Sequence, residues 1–222
     1  MTIRIVQRAD DIGSSLIANE AIVDAHKDGL VKNTSIMVPA PHFEDAARRL
    51  QDCPDLELGL HATITDEWSS DRWGPILPVA DVASIVYDDG TFYTSCTDLW
   101  ERYGDEKTRP SNEQIMNELA AQLAKARAFD LDIRYLDTHM GFDWFHGLSD
   151  LLQGFCDDEG LIYANAMKLE RLPKLEEKHV DPVETMLAQM RACEDGKTYL
   201  HVGHPAYARG DMMDMAIRNS GH

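Results

Sequence analysis

The sequence predicts an α/β fold: a distorted or incomplete (β/α) TIM-like barrel of mostly parallel strands, formed by one domain over residues 1–222. Three observations carry this. Strand-like and helix-like periodicities alternate along the chain, the order that favours parallel strands joined by helical crossovers. About six strands are legible in 222 residues, whereas a closed eight-unit barrel typically takes ~250 residues. Hydrophobic residues make up 44% and charged residues 27% of the chain, an ordinary globular composition rather than a disordered one. A doubly wound open sheet is the alternative. Its nucleotide-binding version has no support, because no GxGxxG or GxxxxGK[ST] follows any strand.

Residues 2–9 alternate apolar and polar around Ile3 and Ile5 and predict a first strand, ending at Asp10-Asp11-Ile12-Gly13. Ser14 or Ser15 is placed to cap a helix over 15–29, with Leu16, Ala18, Ala21, Ile22 and Ala25 inward and Gly29 as its stop. A β-rich run at 34–38 is broken by Pro39 and Pro41, and a short helix follows over 43–51. Residues 56–61 form a third strand that finishes in Gly59-Leu60-His61. From about 64 to 110 the period is lost. Trp68, Trp73, Gly74-Pro75 and Asp88-Asp89-Gly90 mark a long insertion with a small hairpin at the last of these. A loop of that length in a compact domain is usually a lid or a substrate wall. Pro110-Ser111-Asn112-Glu113 opens a helix to about 129. Strands are predicted at 133–136, 161–163 and 198–202, with helices over 148–157 and 182–193. There is no internal repeat and no dividing linker.

The balance of 21 basic against 39 acidic residues leaves a net charge of −18. Such a chain lacks the clustered positive charge that nucleic acid or an anionic membrane surface requires, and suits a neutral or cationic small substrate. No run approaches 18 apolar residues, so no membrane span is expected. The N-terminus has no basic region followed by an apolar one, so no signal peptide is expected. Cys53, Cys96, Cys156 and Cys193 lie tens of residues apart without any CxxC, and read as free thiols of a reducing cytoplasm. A homodimer stays open.

Four predicted strands end in residues able to do chemistry: Asp10-Asp11, His61, Asp137-Thr138-His139 and His204. In a parallel α/β protein all such ends lie on one face, where active sites are built. Two histidines and a carboxylate make a metal site with open positions for water and substrate. Adjacent carboxylates let one bind the cation while the other accepts a proton. The plain alternatives are that Asp10-Asp11 caps the first helix, and that a lone histidine at a strand end is a hydrogen-bonded structural residue. His26, His42, His146, His179 and His222 fall in helices or loops and receive no role. Nor do Met212, Met213 and Met215.

Ala9-Asp10-Asp11-Ile12-Gly13, Gly59-Leu60-His61-Ala62-Thr63-Ile64-Thr65, Asp137-Thr138-His139 and His204-Pro205 together resemble the ordered motifs of the YdjC-like carbohydrate deacetylases. That family includes chitooligosaccharide and diacetylchitobiose deacetylases and is related to the polysaccharide deacetylases. The match runs from residue 3 to about 210. The resemblance implies a distorted barrel, a divalent metal and hydrolysis of an N-acetyl group from a sugar. It implies Asp11, His61 and His139 as metal ligands, Asp10 as catalytic base and His204 as acid. Zinc or magnesium is the expected ion, with cobalt or nickel as further occupants, and a small carbohydrate is the expected partner. The sequence departs from the family at Gly141 and Asp143, where members often carry further histidines. It also stops 18 residues after His204, whereas members usually run on through another helix, so this is a short member or a piece of a longer chain and barrel closure is open.

The chemistry is consistent with those roles. Amide hydrolysis at neutral pH needs an activated water, a base and an acid for the leaving amine. Arg8 and Asp143 are candidates for tuning these groups. Trp68, Trp73, Tyr93 and Trp144 could stack on sugar rings, or could pack locally. A serine hydrolase is excluded for want of GxSxG, and no cysteine ends a strand. A retaining glycosidase could use Asp11 and Asp137 but leaves three histidines unexplained. The rival of another class is a non-catalytic metal- or sugar-binding barrel that retains the site.

Overall fold

The computed structural model describes residues 2–68, 70–102, 110–175 and 181–210. His179, His222 and the methionines at 212, 213 and 215 lie outside them. Strands β1 (Arg4–Ile12), β2 (Asn33–Ile36), β3 (Glu57–Ala62), β4 (Ile133–Thr138), β5 (Ile162–Tyr163), β6 (Glu170–Arg171) and β7 (Thr198–Gly203) form one sheet. Its order is β5-β4-β3-β2-β1-β7-β6, and every pairing is parallel.

That order is cyclic. The chain steps outward from β1 to β5, reappears at β6 and β7, and returns to the other edge of β1. A doubly wound sheet would instead reverse direction at an internal strand. The sheet is therefore a curled, distorted α/β barrel, open between β5 and β6, which stand at its two edges. Strand β6 escapes the sequence pattern because it has two exposed charged residues and no apolar alternation.

Helices α1 (Leu16–Lys27), α2 (Phe43–Leu50), α3 (Cys96–Arg102), α4 (Asn112–Ala128), α5 (Leu148–Glu159) and α6 (Pro182–Arg191) accompany the strands. Ser15 is the cap of α1: its side chain accepts from the Ala18 amide at 3.0 Å. Asp10 and Asp11 are thus not needed as caps. Gly13, at φ 105°, leaves β1 where an added Cβ would lie 2.8 Å from the Met37 carbonyl oxygen. His26 Nδ1 lies 2.9 Å from the Val31 carbonyl oxygen, which makes it a structural residue at the end of α1. Between helices and sheet, Ile22, Ile36, Met37, Leu60, Leu119, Leu136 and Leu152 are fully buried, each stabilising the fold by about 1.5–3 kcal/mol. The four cysteines are free and buried.

Helix α4 buries Ile115, Leu119, Leu123 and Ala126 at helical spacing, and with them Glu118 and Gln122. These polar residues hold the insertion. The Glu118 carboxylate accepts from the Ile76 and Leu77 amides at 2.9 and 3.0 Å, and from Gln122 Nε2 at 2.9 Å. Gln122 also clamps the exit of β3, donating to the Thr63 carbonyl at 2.7 Å and accepting from its amide at 3.2 Å. The hairpin at Asp88-Asp89-Gly90 forms as expected. The Tyr87 amide donates to the Thr91 carbonyl at 2.8 Å, and Gly90 takes φ 84°.

Candidate metal centre

All strands being parallel, their C-terminal ends share one mouth, and Asp10, Asp11, His61, Asp137, His139 and His204 gather there. The first strand does not stop before the aspartates, as its apolar alternation suggests, but runs through them to Ile12. It does so by a bulge. The register against β2 slips between Ala9 and Ile12, and Asp11 adopts φ 70°. In a regular strand neighbouring side chains point to opposite faces; the extra residue re-aims one of them. Asp10 stays on the barrel's inner face with Arg8, two residues before it, and Asp11 turns toward the histidines.

Asp11 Oδ1 lies 3.2 Å from His61 Nε2 and 3.4 Å from His139 Nδ1. It is buried, and neither contact has hydrogen-bond geometry, so the oxygen is left without a hydrogen-bond partner. Ligand atoms around one tetrahedral cation with bonds of roughly 2.1 Å stand about 3.4 Å apart. The three atoms thus converge as ligands do.

The histidines present opposite nitrogens, and each is held from behind by a carboxylate. His61 Nδ1 lies 3.0 Å from Asp137 Oδ1, which accepts its proton and leaves Nε2 facing Asp11. His139 Nε2 lies 2.9 Å from Glu67 Oε2, which leaves Nδ1 facing Asp11. Carboxylate–histidine pairs of this kind set the tautomer and orientation of metal-ligating imidazoles. Without a cation, burial opposes charge on His139, but Asp11 and Glu67 hold its pKa up at about 9. Burial likewise works against charge on His61, and Asp137 and Asp10 raise its pKa well above the ordinary value. Burial also opposes the charge of Asp11, yet His139 and His61 keep it well below the usual carboxylate range.

A second cluster, Asp10, His61 and Asp137, also brings donor atoms together, but Arg8 occupies it. The guanidinium donates to both Asp10 oxygens at 2.6 and 2.9 Å, and its Nη1 meets Asp137 Oδ2 at 2.7 Å. Asp137 Oδ2 further accepts from Ser35 Oγ at 3.1 Å, and Ser35 Oγ lies 3.0 Å from the Tyr135 hydroxyl. The Tyr135 ring lies against Gly59, where a Cβ would come within 2.1 Å of a ring carbon. Glycine in the Gly59-Leu60-His61 motif is thus a packing requirement. Of the four carboxylates in this network, Asp10 and Asp137 meet the Arg8 guanidinium, while Asp11 and Glu67 face the histidines, an excess of negative charge that attracts a divalent cation.

A cavity of about 550 Å³ adjoins the cluster, lined by Arg8, Asp10, Asp143, Asn165, Arg171 and His204 among others. His204 is largely exposed at its rim, with Nε2 3.8 Å from Asp11 Oδ2. Gly141 and Asp143, the positions that depart from the family pattern, also line it.

The aromatic residues fall elsewhere. Trp73 is 4% exposed, its indole N–H donating to the Thr65 carbonyl at 3.1 Å, and its ring is edge-on to Trp68 at 5.5 Å. It is a core residue, as is Tyr93. Trp144 is exposed and rests on Trp100 and Phe145. None of them lines the cavity. Sequence reasoning missed Glu67 and the bridging role of Asp137. The signal for Asp137 was its place at a strand end, two residues before His139; for Glu67 there was none.

The profile of the YdjC-like protein family matches residues 4–220. The chain is 27% identical over 207 residues to a carbohydrate deacetylase of Listeria monocytogenes, covering 82% of this chain and 80% of that one. It is 23% identical over 224 residues to a carbohydrate deacetylase of Thermoanaerobacter pseudethanolicus, covering 96% and 84%. A crystal structure from Enterococcus faecalis V583, whose name points to cellobiose-phosphate cleavage, shares the fold with a TM-score of 0.76 at 21% identity, over all of this chain and 86% of that one. With nearly its whole length matched, the chain belongs to the YdjC-like protein family.

Proposed function

We propose that this protein is a metal-dependent hydrolase that removes N-acetyl groups from an acetylated sugar or oligosaccharide. The observation that carries the proposal is the buried Asp11 Oδ1, without a hydrogen bond, onto which His61 Nε2 and His139 Nδ1 converge at 3.2 and 3.4 Å. The carbohydrate deacetylases among its relatives supply the substrate class.

Asp11, His61 and His139 would hold the ion. A divalent cation held there would bring the pKa of a water down toward ~7 and would polarise a carbonyl. Two imidazoles and a carboxylate favour zinc; magnesium, cobalt or nickel suit the same donors. Asp10 takes the proton of the attacking water. An ionised carboxylate has about four lone-pair sites, of which Arg8 engages two. Arg8 therefore fixes the orientation of Asp10 while leaving it able to accept a proton. His204, at the cavity rim, protonates the departing amine, the task an imidazole performs at neutral pH. The cavity beside Asp10 and His204 receives the sugar, and Trp144 offers an exposed ring near the turn that follows His139.

Elemental analysis of the purified protein, paired with acetate release from a panel of N-acetyl sugars, tests this. One divalent ion per chain is expected, with release abolished by a chelator and restored by metal. Metal without turnover on any such sugar would leave a binding barrel; neither metal nor release would refute the proposal.

A further inference from the structure

Resting on the metal-dependent reading above, we propose that Glu67 is a positioning residue for the ligand His139, so that the insertion after β3 is a structural part of the metal centre and not only a cover for substrate. Two imidazoles face Asp11, and each needs an acceptor on its far nitrogen so that in the neutral ring the single proton sits there and the near nitrogen is the one offered to a cation. Asp137 does this for His61. It is already committed to Arg8 and Ser35, and it sits beside the wrong ring. Glu67 Oε2, 2.9 Å from His139 Nε2, supplies the second acceptor. Without it the His139 proton is free to sit on Nδ1, where it would point an N–H at the ligand position.

The chain around Glu67 is built to aim it. Its neighbour Asp66 is fully buried. The Asp66 carboxylate accepts from the Trp68 and Trp73 amides at 3.1 Å each and pairs with Arg72. The Asp66 amide donates to the Tyr93 carbonyl at 2.8 Å. The backbone is therefore fixed on both sides of the turn that presents Glu67. The insertion also grips the ligand-bearing turn at a second place. Cys96 Sγ donates to the Met140 carbonyl at 3.7 Å, and Trp100 stacks near Trp144 and Phe145 at 5.2 and 5.3 Å. Met140 and Gly141, at φ 55° and 64°, form the left-handed bend that follows His139, and this bend lies between those two holds.

The test is zinc affinity, measured by chelator competition on metal-free wild type, Glu67→Gln and Glu67→Ala, with the absorption spectrum of the cobalt-loaded proteins as a report on ligand geometry. No substrate is involved, so failure of the deacetylase assignment leaves the readout intact, while a wild type that binds no zinc refutes the metal reading itself. Loss of an outer-shell partner typically weakens metal affinity ~10–100-fold. That loss is expected for Glu67→Ala, with one ion still bound at saturation and a changed cobalt spectrum. Glu67→Gln should lose less, because its amide oxygen still accepts from Nε2–H. Circular dichroism of the metal-free variants checks the fold. Wild-type affinity in both variants overturns the proposal. So does loss as complete as in His61→Ala, which would make Glu67 a ligand.

Discussion

His61 and Asp137 are direct partners in the register of β3 and β4, and the pairing continues into their side chains at 3.0 Å. Asp137 is 1% exposed and also meets Arg8 and Ser35. Burial opposes its charge, yet His61 and Arg8 lower its pKa below the ordinary carboxylate value. Breaking a buried ion pair by removing one partner costs about 3–5 kcal/mol, because the other charge is left uncompensated. Asp137→Asn keeps a carbonyl acceptor and should cost less than Asp137→Ala. Both should weaken metal binding. Urea unfolding and metal titration of the two variants check this; equal stability to wild type in both would remove Asp137 from the network's support.

Asp10 and His204 should separate turnover from metal binding. Asp10→Asn keeps the shape and removes the base; His204→Ala removes the acid. Acid–base assistance typically contributes ~10²–10⁴-fold in rate. Each variant is expected to lose at least that order of acetate release with metal content near wild type, whereas His61→Ala should lose both. Metal stoichiometry and rate on the same three proteins decide it, and normal turnover in Asp10→Asn would take Asp10 out of the mechanism.

The metal-free protein should lose stability as pH rises from about 6.5 to about 9. His139 has a folded pKa raised to about 9 from an ordinary ~6.5. Its stabilisation is complete below the unfolded value and is lost as pH climbs through the folded one. Each such group contributes a slope of at most about −1.4 kcal/mol per pH unit. His61, raised in the same direction, adds to the trend. Because a cation displaces these protons, zinc affinity should rise over the same range. Melting temperatures of chelator-treated protein across this window check the sign; a melting temperature that increases would contradict it.

Trp73 and Trp144 should respond differently to truncation. Trp73→Ala empties a core position and removes the Thr65 hydrogen bond, a change of the kind that costs about 3–5 kcal/mol. Trp144 is 54% exposed, so Trp144→Ala should leave stability within about 1 kcal/mol. If its ring meets sugar, KM should rise several-fold with kcat little changed. Thermal unfolding and steady-state kinetics on both variants check this.

Periodicity and punctuation in the sequence determined the succession of strands and helices apart from α3 and β6, the parallel sheet and the four strand ends that carry Asp10-Asp11, His61, Asp137-His139 and His204. These are local signals: alternation over a few residues, a serine before a helix, an Asp-Asp-Gly turn. They placed the ends because side-chain burial repeats with the backbone period. What the sequence could not show depends on partners far along the chain. The bulge that turns Asp11 away from Asp10 is a register slip against β2. Arg8 joins Asp10 to Asp137 across the barrel interior. Glu67 reaches His139 over 72 positions, and Glu118 and Gln122 are buried on α4 to hold the insertion. Only the tertiary structure decided these, because hydrogen bonds and ion pairs between distant segments follow from strand register and loop packing, which leave no periodic trace in the chain.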